Sequence, residues 1–229
     1  DFGEVSRRAR DLLAARGAAL HEQLGELGEL RGKNRGVVDY MMGKVRADKR
    51  EFEAGLQRYY AVRSVFSTLS NKLFAHLGSD ALRLLTEDTR AAMREASFSR
   101  SLSEAMAGFF AGARQALARA DGEVGEIHNM MAAVYRQFAV EHGLRLGKPP
   151  AFALLRYEKE VDRLEAWCNT NLNTTRSLLT ADKTRITDKF FEEVAVHVRR
   201  AFARANKDAE AWLRAIMAPM ETQIREHQI

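Results

Sequence analysis

The sequence predicts an all-α protein, an elongated antiparallel bundle of long helices. Residues that favour helices dominate the composition, and the 229 residues include only three prolines, all of them after residue 148. Apolar residues recur at steps of three and four over long stretches, which is the spacing of one buried helix face. Charged residues make up 29% and aromatic residues 8%, which argues against a disordered tail and an aromatic-rich β-sandwich.

The first predicted helix covers residues 4–77. Its apolar stripe includes Met41 and continues to Leu77, and Gly78 is typical of a helix end. Four glycines lie at helical spacing within it: Gly25, Gly28, Gly32 and Gly36. They form either a smooth face that another helix approaches closely, which we favour, or a break near residues 31–36.

Two helices are predicted in the middle of the chain, over residues 80–96 and 102–142. Serine favours caps and turns over helix interiors, and four serines crowd the interval: Ser97, Ser99, Ser101 and Ser103. We expect the two helices to form one pass with a joint near residues 97–101. The second has a regular apolar stripe: Leu102, Met106, Phe109, Ala113, Leu117, Ala120, Val124, Ile127, Met131, Val134 and Phe138.

The stretch GLRLGKPP, residues 143–150, is the clearest non-helical segment. A final helix is predicted over residues 152–229, with polar residues 182–185 as the one place for a turn. Pro219 is expected to bend this helix without ending it, because the apolar pattern resumes beyond it. The architecture predicted is three long antiparallel passes in a single domain over residues 1–229.

No motif for catalysis or cofactor binding occurs in the sequence. The phosphate-binding pattern GxxxxGK[ST] is absent, and no two histidines are three or four residues apart, so no helix face offers a histidine pair for zinc. The single cysteine, Cys168, fits a small buried residue in a reducing cytosol. We predict no catalytic, cofactor or metal site and no small-molecule substrate. The longest apolar run, residues 105–113, is too short to span a membrane.

Two clusters of bases are candidate contacts with an anionic surface or a partner. The first comprises Arg31, Lys33, Arg35, Lys44, Arg46, Lys49 and Arg50, and the second comprises Arg199, Arg200 and Arg204 together with Lys207. Residues 31–50 carry a local excess of five positive charges, which equals the formal charge of the whole chain, +5. Such a cluster is either a solvated helix face or an attraction for membrane or nucleic acid. The lack of interleaved aromatic residues favours lipid or protein over single strands.

Three stretches resemble the helical region of bacterial dynamin-family proteins. They are LRGKNRGVVDYMMGKVRADKREFEAGLQRYYAVRSVFSTLSNKLFAHLG (residues 30–78), FAVEHGLRLGKPPAFALLRYEKEVDRLE (138–165) and ITDKFFEEVAVHVRRAFARANKDAEAWLRAIMAPMETQIREHQ (186–228). The resemblance implies a helical stalk that follows the GTPase domain of a large GTPase, which remodels or tethers membranes through nucleotide-driven assembly. It also implies self-association, with GTP and Mg as cofactors of the parent protein. None of the family's nucleotide-binding motifs is present here.

The chain ends suggest a piece of a longer protein, since Asp1 is not an initiator methionine and the apolar stripe reaches Ile229. We expect a non-catalytic, cytoplasmic stalk that lies peripherally at the inner face of a membrane. Proline at Ser99, or bulky residues at Gly28 and Gly32, are expected to disturb its assembly. Two alternatives stay open: a free-standing membrane-curving scaffold and a nucleic-acid-associated coiled coil, with nucleic acid the less favoured partner.

Overall fold

The computed structural model describes residues 2–30, 35–97, 99–142, 147–174 and 182–226. The helices are α1 (Phe2–Leu30), α2 (Arg35–Leu77), α3 (Ser79–Glu95), α4 (Ser99–His142), α5 (Leu155–Asn171), α6 (Lys183–Phe190) and α7 (Val196–Glu226). One π-helical turn, Phe191–Ala195, joins α6 to α7. No strand occurs within the described ranges. The predicted all-α class is confirmed.

The chain divides into two compact units. The first comprises Asp1–Ser64 and Pro219–Ile229, and the second comprises Val65–Ala218. Within the first unit, Arg63 Nη1 of α2 donates a hydrogen bond to Ser6 Oγ of α1 over 3.4 Å. Residues 31–34 lie outside the described residues. The predicted choice between a continuous helix and a break near residues 31–36 falls on them.

In the second unit, α3 folds back along α4. A Cβ atom built on Gly112 of α4 would lie only 2.5 Å from Leu85 Cδ1 of α3, so the two helices approach closely there. Only a few residues separate Glu95 from Ser99, and so short a connection makes its two helices antiparallel neighbours. The expected jointed pass is therefore wrong: the chain reverses direction between residues 95 and 99.

Helix α5 is antiparallel to α4. Cys168 Sγ of α5 contacts Met106 Sδ of α4 at 3.9 Å. Two turns further along α4, Arg114 Nη1 lies 3.3 Å from Asp162 Oδ1, so α5 runs in the opposite direction. Ion pairing with Glu165, whose Oε1 lies 3.2 Å from Arg114 Nη2, strengthens the same contact.

Helix α5 is also antiparallel to α7. Arg204 of α7 is paired with Glu160 of α5, and Trp212 Nε1 donates to the carbonyl oxygen of Pro150 over 2.8 Å. The predicted continuous helix over residues 152–229 is therefore wrong. Helix α5 ends at Asn171, residues 172–174 are not helical, and α6 begins at Lys183. Each helix buries a stripe of its own.

The start of α6 is fixed by two polar side chains. Asp182 Oδ1 accepts a hydrogen bond from the Thr184 amide over 3.3 Å, which caps the helix N-terminus. Lys183 Nζ donates to the carbonyl oxygens of Arg94 at 2.6 Å and Ala96 at 3.1 Å. These carbonyls lie at the C-terminal end of α3, where the helix leaves them unpaired and favours a cation. Residues 182–185, the predicted place for a turn in the last helix, therefore lie at the start of α6.

The core of the second unit follows the predicted stripe of α4 closely. Leu102 through Met131 of that stripe are all buried. Beyond Met131 the buried position moves from Val134 to Tyr135, which is 5% exposed. The Tyr135 hydroxyl donates to the Ile216 carbonyl oxygen over 2.7 Å, and this bond draws the ring inward.

The π-helical turn keeps one apolar face inward along α6 and α7. Ile186, Phe190, Val194 and Val198 are buried at steps of four, and such steps drift around an ordinary helix of 3.6 residues per turn. A wider turn at Phe191–Ala195 absorbs the drift. Pro219 lies inside α7, so the prediction that it does not end the helix is confirmed.

Candidate interaction surfaces

The structure describes only part of the first basic cluster, and the described members do not share one face of α2. Arg31 and Lys33 lie outside the described residues, and the side chain of Arg35 is not described. Lys44, Arg46, Lys49 and Arg50 are exposed on α2. At about 100° per residue, Arg46 and Arg50 lie on one side of the helix and Lys44 lies about 160° from Arg46.

Acidic residues interrupt this cluster. Lys49 Nζ lies 3.7 Å from Glu53 Oε1, one turn further along the helix, and exposed Asp39 and Asp48 lie between the bases. The described part of the cluster is therefore a helix of alternating charge, and Arg46 and Arg50 are its coherent basic pair.

The second basic cluster loses one member to helix packing. Arg204 donates to both carboxylate oxygens of Glu160, and this hydrogen bonding raises the pKa of the guanidinium. Arg204 therefore links α7 to α5. Arg199 and Arg200 are exposed on α7 and keep the predicted role as candidate contacts.

An exposed apolar group on α2 was missed by the sequence analysis. Val37, Tyr40 and Met41 are 51%, 74% and 45% exposed. Assigning Met41 to the buried stripe was wrong, because Val38 is 2% exposed and Met42 is half-buried on the inward side. The signal lies in the run VVDYMM, which places apolar residues on two sides of one helix.

Three aromatic residues of the second unit, Phe109, Phe110 and Phe152, pack against other residues of the chain. Phe109 and Phe110 are fully buried and meet Phe190 edge to face. Phe152 stacks on Trp212 with ring centroids 5.5 Å apart.

The predicted glycine face has no close neighbour at Gly25 or Gly36, the two of its glycines whose surroundings are described. A Cβ atom on Gly25 or Gly36 would meet nothing within 4 Å. Gly32 lies outside the described residues. Ser99 is the first residue of α4, a position that accepts proline readily. Proline at Ser99 is therefore a poor probe of a hinge.

The first unit contains a cleft of about 470 Å³ beside the start of α1. Val5, Ala9 and Tyr59 line it together with charged Arg8 and Glu221. Burial raises the pKa of the Tyr59 hydroxyl, and the charge of Arg63 opposes this effect.

Among the described residues, no group of three histidine, cysteine or acidic side chains is arranged to hold a metal ion. None of the described helices is both long and apolar enough to cross a bilayer. The chain matches no family model, no curated protein and no solved structure.

Proposed function

We propose that the chain is the helical stalk of a dynamin-like GTPase. In this role it is non-catalytic by itself, associates with further copies, and contacts an anionic membrane surface at the inner face of the cell membrane during nucleotide-driven remodelling. The observation that carries the proposal is the resemblance of residues 30–78, 138–165 and 186–228 to the helical region of that family.

The packing of the second unit is suited to transmitting force. Helix α4 has 44 residues, which corresponds to about 66 Å at 1.5 Å per residue. Its buried stripe is flanked by α3, by α5 and by the run of α6 and α7. Close-packed interiors have low compressibility, so a displacement at one end of such a bundle reaches the other end.

Exposed bases support the membrane contact. Arg46 and Arg50 lie one turn apart on α2, and Arg199 and Arg200 are exposed on α7. A base near an anionic bilayer contributes about 1 kcal/mol. Each pair therefore adds roughly 2 kcal/mol, which is weak alone and substantial when many copies assemble.

The first test is GTP hydrolysis by the full-length parent protein, with and without anionic liposomes. We expect turnover that the liposomes and protein concentration both stimulate, because assembly on a surface raises the local concentration. A parent without a GTPase domain, or without GTP turnover, would overturn the proposal.

The second test is sedimentation of the present chain with anionic liposomes across a salt series. Reversing Arg46 and Arg50 to glutamate should reduce binding several-fold at low salt, because two attractive charges become repulsive. The matched control reverses Lys159 and Arg163, an exposed pair on α5 with the same spacing and the same change of net charge.

Equal losses in both variants would assign the binding to net charge alone and remove Arg46 and Arg50 from the proposal. Strong liposome binding by a chain whose parent lacks GTP turnover would favour the free-standing scaffold. Retention of DNA with a steep dependence on salt would favour the nucleic-acid alternative.

A further inference from the structure

Helix α2 carries a second seam, on a side that the first unit leaves exposed. Val37, Met41, Lys44, Asp48, Glu51, Gly55 and Arg58 recur at alternating steps of four and three, and Tyr40, Ala47 and Ala54 lie beside them on the same side. All except half-buried Gly55 are exposed. This is the heptad spacing of helices that pair along their length in coiled coils. We refer to these residues as the exposed seam.

The exposed seam is asymmetric in size. Its first half carries the bulky side chains of Val37, Tyr40 and Met41. Its second half carries the small residues Ala54 and Gly55 between the charged Glu51 and Arg58, and a Cβ atom on Gly55 would meet nothing within 4 Å. Bulky apolar residues in one half and small residues in the other complement a copy of the helix that runs in the opposite direction.

The charges of the exposed seam repeat this asymmetry. Lys44 and Glu51 lie seven residues apart, which is about two helical turns or 10.5 Å along the same face. Within the described part of the chain, neither side chain takes part in a hydrogen bond or an ion pair. Opposite charges at this spacing are available to a second helix.

We propose that two copies of this chain pair through the exposed seam of α2, antiparallel about a two-fold axis between Ala47 and Asp48. This arrangement sets Lys44 of each copy opposite Glu51 of the other. It also sets Met41 opposite Ala54, so that a bulky side chain meets a small one. An interface of this kind uses the same patch twice, as two-fold dimers do.

Parallel pairing and lipid are the poorer fits. Parallel pairing in register would set Lys44 opposite Lys44 and bulky residues opposite each other, which repels and overpacks. The exposed seam has two bases, Lys44 and Arg58, and two acids, Asp48 and Glu51. Because its charges balance, an anionic bilayer gains no net attraction from it.

The pairing deepens the self-association of the proposed function, on which it rests, and identifies a second copy of the chain as the partner. It requires neither nucleotide nor membrane, so it is tested separately. Sedimentation velocity of the intact chain should show dimer formation that increases with protein concentration in the micromolar range.

Charge reversal at one position tests the register. Glu51→Lys should shift the dimer dissociation constant at least tenfold upward, since Lys44 then faces lysine twice per dimer. The double variant Lys44→Glu with Glu51→Lys should restore dimerisation, because the pairs re-form with exchanged signs. The matched control is Glu53→Lys, an exposed change two residues away whose loss of the Lys49 ion pair costs little. Circular dichroism verifies that every variant is folded.

A monomer at all concentrations, a dimer indifferent to Glu51→Lys, or a double variant that stays monomeric would each overturn this pairing. Binding to neutral liposomes that is lost in the double variant Val37→Ser with Met41→Ser would also overturn it. That result would mean that the exposed apolar residues of α2 insert into a membrane. A parent without GTP turnover would overturn the stalk assignment and leave the measured dimer unaffected.

Discussion

Cys168 shows how burial decides the chemistry of a single side chain. The residue is fully buried, and its sulfur contacts Met106 Sδ at 3.9 Å. Burial, with a smaller effect from the negative charge of Glu165, raises the pKa of the thiol from 9.0 to about 12. The thiolate is the reactive form, so we expect an inert thiol in the folded protein, in agreement with its predicted role as a small buried residue.

We predict that Cys168→Ala removes one component of alkaline destabilisation. Between pH 9 and 10 the unfolded chain releases the thiol proton and the folded chain retains it, because the folded pKa is the higher one. The free energy of unfolding of the unchanged protein therefore falls with pH, by up to about 1.4 kcal/mol per pH unit. The variant should show a shallower fall over this interval when urea unfolding is measured at pH 8, 9 and 10.

The Tyr157 hydroxyl provides an internal control. Burial, followed by its hydrogen bond to Asp208, raises its pKa from 10.0 to about 12, so its effect grows mainly above pH 10 and is the same in both proteins. At pH 7 the variant should lose roughly 1 kcal/mol through the small cavity that it creates. Parallel curves between pH 9 and 10 would contradict the assignment of this slope to Cys168.

At the scale of elements, α3 and α4 approach each other closely at Gly112. We predict that Gly112→Ala destabilises the protein by about 1 kcal/mol, because the new methyl group would lie 2.5 Å from Leu85 Cδ1 and displace that side chain. The clash has to exceed the gain in helix propensity, which favours alanine by about 1 kcal/mol. Urea unfolding followed by circular dichroism measures the difference.

Gly108 is the matched control for this prediction, since it lies one turn earlier on the same helix. A Cβ atom there would meet nothing within 4 Å. Gly108→Ala should therefore stabilise the protein by about 0.5–1 kcal/mol through helix propensity alone. Equal changes in both variants would show that the close approach of α3 has no energetic weight.

At the scale of the whole molecule, α1 and α4 differ in how many apolar side chains they bury. Among the described side chains of α1, residues 3–27, the buried ones are Ala9, Leu20 and Leu27. In α4 a near-continuous stripe from Leu102 to Met131 is buried. Local opening costs more free energy where more apolar contacts break.

We therefore predict that amide hydrogens of α1 exchange at least tenfold faster than those of α4 between Met106 and Met131. Hydrogen exchange followed by mass spectrometry on the intact chain, at low protein concentration, measures this directly. Equal protection in the two helices would mean that the first unit is stabilised by more than its own buried side chains.

The sequence alone was sufficient for the all-α class and for most of the core. Helical periodicity is local, so the stripes of α4 and α7 could be identified without knowledge of their neighbours. Interruptions marked by serine or by Gly78 were also recognisable, because these residues act through their own backbone geometry.

Tertiary structure decided the direction of the chain and the role of each surface. Whether the interval near Ser97 continues a pass or reverses it depends on what α3 packs against, and Leu85 meets Gly112 only after the reversal. Likewise α2 has two apolar sides, and burial of Val38 leaves Met41 exposed. Arg204 became a link between helices because Glu160 lies opposite it. Periodicity identifies a face that is able to be buried, but which face is covered depends on residues distant in the sequence.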